Sequence, residues 1–272
     1  MYWHHSVSPE WMQSRRSVLT ASEIASCVSQ LKRMTKAQEA GDQVFPAFAS
    51  LWLEKQANTD PELDSFKAAA RGHITEPYAV SDFNRNFEMN MFHWDDIVIK
   101  ANNIGWSPDA TNVSQDYPGS ELLSVTEKSG TRLISPDGRF SIMGPSQMLE
   151  VKSYEPKAHM KRMLTDKMKL DERWQVAVAM WVVPSIVEGY IEFYSLETDY
   201  SFVHKYDRKE LEEELKLITK VDELWSKNIK LIEEQFDLND PSNNQWLTRF
   251  WTEKQINDEH LATLQTTELL RV

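Results

Sequence analysis

Met148-Leu149-Glu150-Val151-Lys152 reads as a short buried strand, and its alternation decides how the whole chain is read. Residues two apart on a strand share a face, so Glu150 and Lys152 project together while Val151 turns into the core. A second acid, Asp109, ends Ile104-Gly105-Trp106-Ser107-Pro108-Asp109. That run follows DDIVIK across the turn Ala101-Asn102-Asn103, the pattern of a hairpin. Two carboxylates and an amine on neighbouring strands suit metal-assisted phosphodiester cleavage. Carboxylates are oxygen ligands for Mg2+. The cation activates water, and a nearby ammonium stabilises charge developing on the phosphoryl oxygens. Taken alone the spacing decides little, because the same pair on an exposed strand is ordinarily a surface ion pair.

Outward from that strand, Thr20 three residues before Glu23 is a capping-box pattern that starts a helix in TASEIASCV. Cys27 shares an apolar stripe there with Ile24 and Leu31, as a buried structural thiol does. Asp60-Pro61 is read as the opening of a second helix through SFKAAARGHITEPYAVSDF, which Pro77 kinks or restarts. Turn signals at Tyr117-Pro118-Gly119, Lys128-Ser129-Gly130 and Pro136-Asp137-Gly138 mark inserted hairpins. After the decisive strand, Trp174, Ala177, Val178 and Trp181 recur at helical spacing. Two strands, IVEGYIEFY and SFVHKY, precede a long amphipathic helix from Asp207, and the tail from Trp246 reads as one more helix. The expected fold is α/β: a small central mixed sheet flanked by helices, with inserted hairpins and an extra C-terminal helical segment. It is read as a single domain over 1–272, with a core at about 11–206 and an extension at about 207–272.

Composition narrows the function classes. With 41% hydrophobic residues, 10 Trp and 11 Phe, the chain is too apolar to be disordered. One cysteine excludes an intramolecular disulfide and a cysteine-ligated zinc cluster. The net charge of −12 gives no bulk sign of nucleic-acid binding, yet a nuclease needs basic residues only along its groove. The opening MYWHHSVSPEW lacks the regions of a signal peptide, and no apolar run reaches membrane length. A cytoplasmic protein without a membrane partner is therefore expected.

Five blocks, WMQSRRSVLTASE, RGHITEPYAV, IGWSPDA, LEVK and WQVAVAMWVV, resemble in the same order those of the phage lambda-type exonucleases, recombination nucleases of the PD-(D/E)xK superfamily. The resemblance runs from about Trp11 to Tyr206. It implies that Asp109, Glu150 and the backbone carbonyl of Val151 bind Mg2+, with Mn2+ able to substitute, and that Lys152 is the catalytic lysine. It further implies that Glu76 joins the metal directly or through water, and that Gln175 lies near the active centre. Arg15, Ser22 and Ser107 take the place of the residues that hold a 5′-phosphate. Ser22 has a physical basis of its own, because it lies in the first turn of a capped helix, where free N–H groups attract anions. The implied partners are double-stranded DNA ends, a single-strand annealing protein and two further copies in a homotrimer. Ala110 departs from the family's usual Gly, and Ser153-Tyr154 from its usual Cys-Pro.

Two alternatives follow. Asp137, in a second Ser-Pro-Asp match, is nearer Glu150 in sequence, but Asp109 keeps the family's distance from Glu76; Asp137 is read as a turn residue. The stretch from Lys157 to Lys169 offers Lys157, Lys161 and Arg162 as a DNA-lining surface, or as a solvated helix face. The expected function is a Mg2+-dependent 5′ to 3′ exonuclease. Its rivals are an endonuclease on the same core and a non-catalytic protein that binds DNA or a partner.

Overall fold

The computed structural model describes residues 14–56, 67–95, 98–114, 145–165 and 170–235. The readings at Asp60-Pro61, at the turns from Tyr117 to Gly138 and in the tail lie outside these residues. In chain order the elements are α1 (Ala21–Leu31), α2 (Lys36–Ala40), α3 (Pro46–Gln56), α4 (Lys67–Phe87), β1 (Phe92–His93), β2 (Ile99–Ala101), β3 (Ile104–Trp106), β4 (Ala110–Thr111), β5 (Gln147–Ser153), α5 (Pro156–Thr165), α6 (Leu170–Val182), β6 (Glu188–Ser195), β7 (Tyr200–Asp207) and, after a 3-10 turn at Arg208–Leu211, α7 (Glu212–Gln235). The chain divides into two compact units, Met1–Arg33 with Glu62–Glu223 and Met34–Pro61 with Leu224–Val272.

The first unit is built on a five-stranded sheet in the order β1-β4-β5-β6-β7. Only β5 and β6 are parallel; the other pairs are antiparallel, so the sheet is mixed as expected. A parallel pair needs a long crossover, and α5 and α6 supply it. The alternation read at residues 148–152 sorts the layers. Leu149 and Val151 pack with Ala79, Val80 and Phe83 of α4. Met148 faces the other way, against the Gly189 position that Val176 and Met180 of α6 also approach. α6 is buried continuously from Val176 to Met180 because it lies between the sheet and α1. Burying each large apolar side chain contributes roughly 1.5–3 kcal/mol. α4 continues without interruption through Pro77, so the proline does not restart it.

The hairpin β2–β3 forms a separate two-stranded sheet. Its turn is Asn102-Asn103, with Asn102 at φ +50°, a left-handed conformation that asparagine tolerates. Asp222 fixes this turn, accepting from Asn102 Nδ2 at 2.9 Å and from Asn103 Nδ2 at 2.8 Å.

The second unit gathers α2, α3 and the later part of α7. Phe48 and Trp52 of α3 are buried, and Phe48 meets Trp225 edge-on at 5.5 Å. Phe45 N–H donates to Asn228 Oδ1 at 2.7 Å. Among the described residues no helix is long and apolar enough to cross a membrane.

Candidate active site

The antiparallel register pairs Ala110 with Leu149 and Thr111 with Met148. Extended by one residue, it sets Asp109 opposite Glu150, at the distance where side chains on neighbouring strands interact. β4 has already ended there, so the Val151 N–H has no ladder partner. The Asp109 side chain takes its place, with Oδ2 accepting from Val151 N at 2.7 Å. A strand residue points its N–H and C=O to the same edge, so the Val151 carbonyl faces this site as well. On the opposite face of β5, Lys152 Nζ donates to Glu150 Oε1 at 2.7 Å.

Burial of this cluster raises the Asp109 carboxyl well above the usual range, and the nearby charges of Glu150 and Glu76 raise it further. The Lys152 ammonium is pulled down by burial, but Glu150 and Asp109 outweigh that and hold it above its ordinary value. Glu76 reaches the cluster from α4. Its Oε2 lies 3.5 Å from His93 Nε2 on β1 and 3.9 Å from His73 Nδ1. The hydrogen bond to Glu76 raises His93 above the normal imidazole value despite partial burial.

Arg15 arrives by a different route. Leu19 bridges in parallel to Ile104; its N–H donates to Asn103 O at 2.6 Å, and Gly105 N–H donates back to Leu19 O at 2.9 Å. Gly105 permits this approach, because a Cβ there would stand 2.3 Å from Val18 Cγ2. The segment before α1 is thereby tied to β3, which leads directly into Ser107 and Asp109. Burial pulls the Arg15 guanidinium below its usual value, opposed by the charges of Glu23, Glu150 and Asp109. Ser22 is exposed in the first turn of α1, while Glu23 accepts from Thr20 N–H at 2.6 Å and from its hydroxyl at 3.0 Å. Ser107 is partly buried two residues before Asp109.

Residues 10–201 match the YqaJ-like viral recombinase domain. The chain belongs to that family. Its fold resembles that of an alkaline exonuclease, LHK-Exo, from Laribacter hongkongensis: TM-score 0.52, 18% identity, covering 84% of this chain and 98% of that one. LHK-Exo in complex with dAMP aligns over the same shares at 16% identity and TM-score 0.50. A phage-related exonuclease from Haemophilus somnus 129PT aligns at 12% identity and TM-score 0.43, covering 79% of this chain and 96% of that one. No curated protein sequence matches the chain.

The YqaJ-like domain thus brings together Asp109, Glu150, Lys152, Glu76 and Arg15 from four separate stretches. Gln175 is half-buried on α6 and makes no hydrogen bond with Asp109, Glu150 or Lys152 among the described residues. Lys157 and Lys161 are exposed on α5. Arg162 is not part of that surface. It pairs with Glu172, its side chain is 13% exposed, and its guanidinium lies over the Phe193 ring at 5.0 Å. Tyr154 OH donates to the same Glu172 at 2.9 Å, so Arg162 is committed to the packing of α5 and α6. Asp137 lies outside the described residues. His93 escaped the sequence reading, because only the pairing of β1 with β4 brings it beside Asp109.

The site's fit to a divalent cation can be judged from its donors. Among the described residues no group of three or more His, Cys, Asp or Glu stands ready to hold a metal ion. Lys152 holds one oxygen of Glu150, and the Val151 N–H holds one of Asp109. The donor chemistry itself suits a hard cation, since crowded carboxylate oxygens and a backbone carbonyl are what Mg2+ selects. Burial raises Asp109 most, the charges of Glu150 and Glu76 add to the rise, and a cation among these acids would oppose both.

Proposed function

We propose that this protein is a Mg2+-dependent deoxyribonuclease that degrades one strand of duplex DNA from a 5′-phosphorylated end, leaving single-stranded 3′ overhangs for recombination. The observation that carries this reading is the convergence of Asp109, Glu150 and Lys152 at one sheet edge with Arg15 beside them. Membership of a viral recombinase family supports it.

Asp109, Glu150 and the Val151 carbonyl would hold Mg2+, with Glu76 joining directly or through water; Mn2+ would substitute. The bound cation lowers the pKa of water and neutralises charge on the phosphoryl group. Lys152 has the reach to turn from Glu150 to a phosphate oxygen and stabilise the charge that builds there. Arg15 provides a planar fork for the terminal phosphate, and the first-turn N–H groups of α1 around Ser22, with Ser107, complete an anion pocket. With the terminal phosphate held by Arg15, whose charge is felt at Asp109 and Glu150, the bond cut would be the first one inward and the products mononucleotides. The dAMP bound by LHK-Exo, a deoxynucleoside monophosphate, supports this. Lys157 and Lys161 supply backbone contacts whose strength falls with salt. The assembly that goes with this reading is a homotrimer, which light scattering checks through a mass three times that of the chain. A single-strand annealing protein would receive the overhangs.

The deciding experiment compares linear duplex carrying 5′-phosphate ends with covalently closed circular duplex, each with Mg2+. Release of 5′-mononucleotides from the linear substrate alone is expected. Cutting of the circle would replace exonuclease by endonuclease on the same residues. No cleavage of either, by folded protein, would leave a binding protein.

A further inference from the structure

Glu76 is the one acid of the cluster that does not come from the sheet. It projects from α4 on a long side chain, near enough to Asp109 for the two acids to repel. A carboxylate so placed relaxes towards solvent unless something holds it. β1 provides the hold. His93 pairs in register with Ala110, and the next residue, Trp94, donates its N–H to Asp109 O at 3.0 Å. The histidine backbone is therefore tied to the strand segment that presents Asp109. Its ring is only 19% exposed, and Nε2 meets Glu76 Oε2 at 3.5 Å while Nδ1 lies 3.5 Å from Asp95 Oδ1. The other imidazole near Glu76, His73, belongs to α4 itself and stands farther off, at 3.9 Å. His73 moves with the helix; His93 alone of the two relates Glu76 to the sheet.

We propose that His93 is a positioning residue that holds the Glu76 carboxylate beside Asp109, so that carboxylates from the helix and the sheet act on one divalent cation. This rests on the nuclease reading for its purpose, but its physical content is separate: the hydrogen bond orders an oxygen donor before the cation arrives. Residues that orient metal ligands in this way ordinarily change metal affinity by about 10–100-fold when removed.

The test uses Mn2+ as the probe on the whole chain without DNA, titrated by calorimetry and by the loss of free Mn2+ signal in electron paramagnetic resonance. His93→Ala is expected to weaken binding about tenfold. His93→Gln, whose amide nitrogen falls near the position of Nε2, is expected to restore most of it. Unaltered Mn2+ affinity in His93→Ala overturns the proposal. So does a folded His93→Gln protein that binds as weakly as the alanine variant, since the ring's packing and not its hydrogen bond would then matter. Should His93→Ala fail to fold, a folded His93→Gln protein that binds Mn2+ about tenfold more weakly than wild type overturns the proposal, and one that binds close to wild type supports it. Cleavage of linear duplex by the same proteins separates the two readings. Wild type that binds Mn2+ but never cuts DNA defeats the nuclease reading and leaves the role of His93 to the titration. Wild type that cuts, with His93→Ala needing no more Mg2+ than wild type, defeats the role of His93 alone.

Discussion

Asp109 and Glu192 are both carboxyls raised by burial, yet the sheet treats them in opposite ways. Glu192, on β6, is paired in register with Val151 and shares its α4-facing side. It is 0% exposed, and among the described residues neither of its oxygens has a hydrogen-bond partner. The nearby Ser201 hydroxyl is given to Asp82 at 2.8 Å. Burial pushes Glu192 up to about 8, the Ser201 hydroxyl opposing the rise and the charge of Asp82 adding to it, so it is a neutral acid at pH 7. Asp109 is partly buried and is also raised well above the usual range, but Lys152 pulls against the rise there and Arg15 stands in reach. A metal binds the deprotonated carboxylate, which the Lys152 ammonium favours at Asp109 and the charge of Asp82 disfavours at Glu192. A raised carboxyl therefore marks a site only through the groups around it.

The comparison breaks most decisively on activity. Asp109→Ala, Glu150→Ala or Lys152→Ala is expected to lower DNA cleavage by at least on the order of a hundredfold, with the melting temperature held. Glu192→Gln is expected to leave cleavage within a few fold, since it copies the neutral acid. Equal losses from Glu192→Gln and Asp109→Ala, measured on one substrate, would erase the distinction.

Arg15→Ala comes next in size. Its loss should be about tenfold greater on 5′-phosphate ends than on 5′-hydroxyl ends, in line with a charged hydrogen-bonded contact. Because the guanidinium also lies near Asp109 and Glu150, some loss on both substrates is expected. Identical losses would show that Arg15 serves the carboxylates and not the DNA terminus.

The smallest effect on activity belongs to Glu192 and is read in stability. Its folded value lies above the unfolded one, so the native state binds the extra proton between about pH 4.5 and 8. Stability therefore falls as pH rises through that window and levels off above it. Urea titrations at pH 5 and pH 8.5 should show this fall in wild type and a flatter response in Glu192→Gln. Parallel responses would mean that Glu192 finds a partner in solution.

How much of this was legible in the sequence depended on how local each feature is. The strand at Glu150, the Asn102-Asn103 hairpin and the capped helix at Thr20 follow from spacing within a few residues, and the structure has all three. α3 did not stand out, because Pro46-Ala47-Phe48-Ala49-Ser50-Leu51-Trp52 is apolar around most of its circumference and shows no helical stripe. The hold of His93 on Glu76 depends on β1, two residues long and placed only by pairing with β4. Arg162 looked like one more cation in a lysine-rich run, and nothing local announces Glu172 across the break between two helices. Of the two Ser-Pro-Asp matches, distance to Glu150 favoured Asp137 and distance from Glu76 favoured Asp109; the Val151 N–H, left without a strand partner where β4 stops, engages Asp109.

The parallel pairing of β5 with β6 has a consequence for how the protein comes into being. The strand that carries Glu150 and Lys152 is secured on that side only by residues beyond α5 and α6, as far as Ser195. A chain emerging from a ribosome has already released Arg15, Glu76 and Asp109 by then, but it has no lattice on which to align them. Such non-local pairing closes late in folding. Among the described residues, a nascent or truncated chain lacking β6 has only the two-residue pairing with β4 to hold the strand of Glu150 and Lys152, so the order of the site depends on residues made more than thirty positions after it.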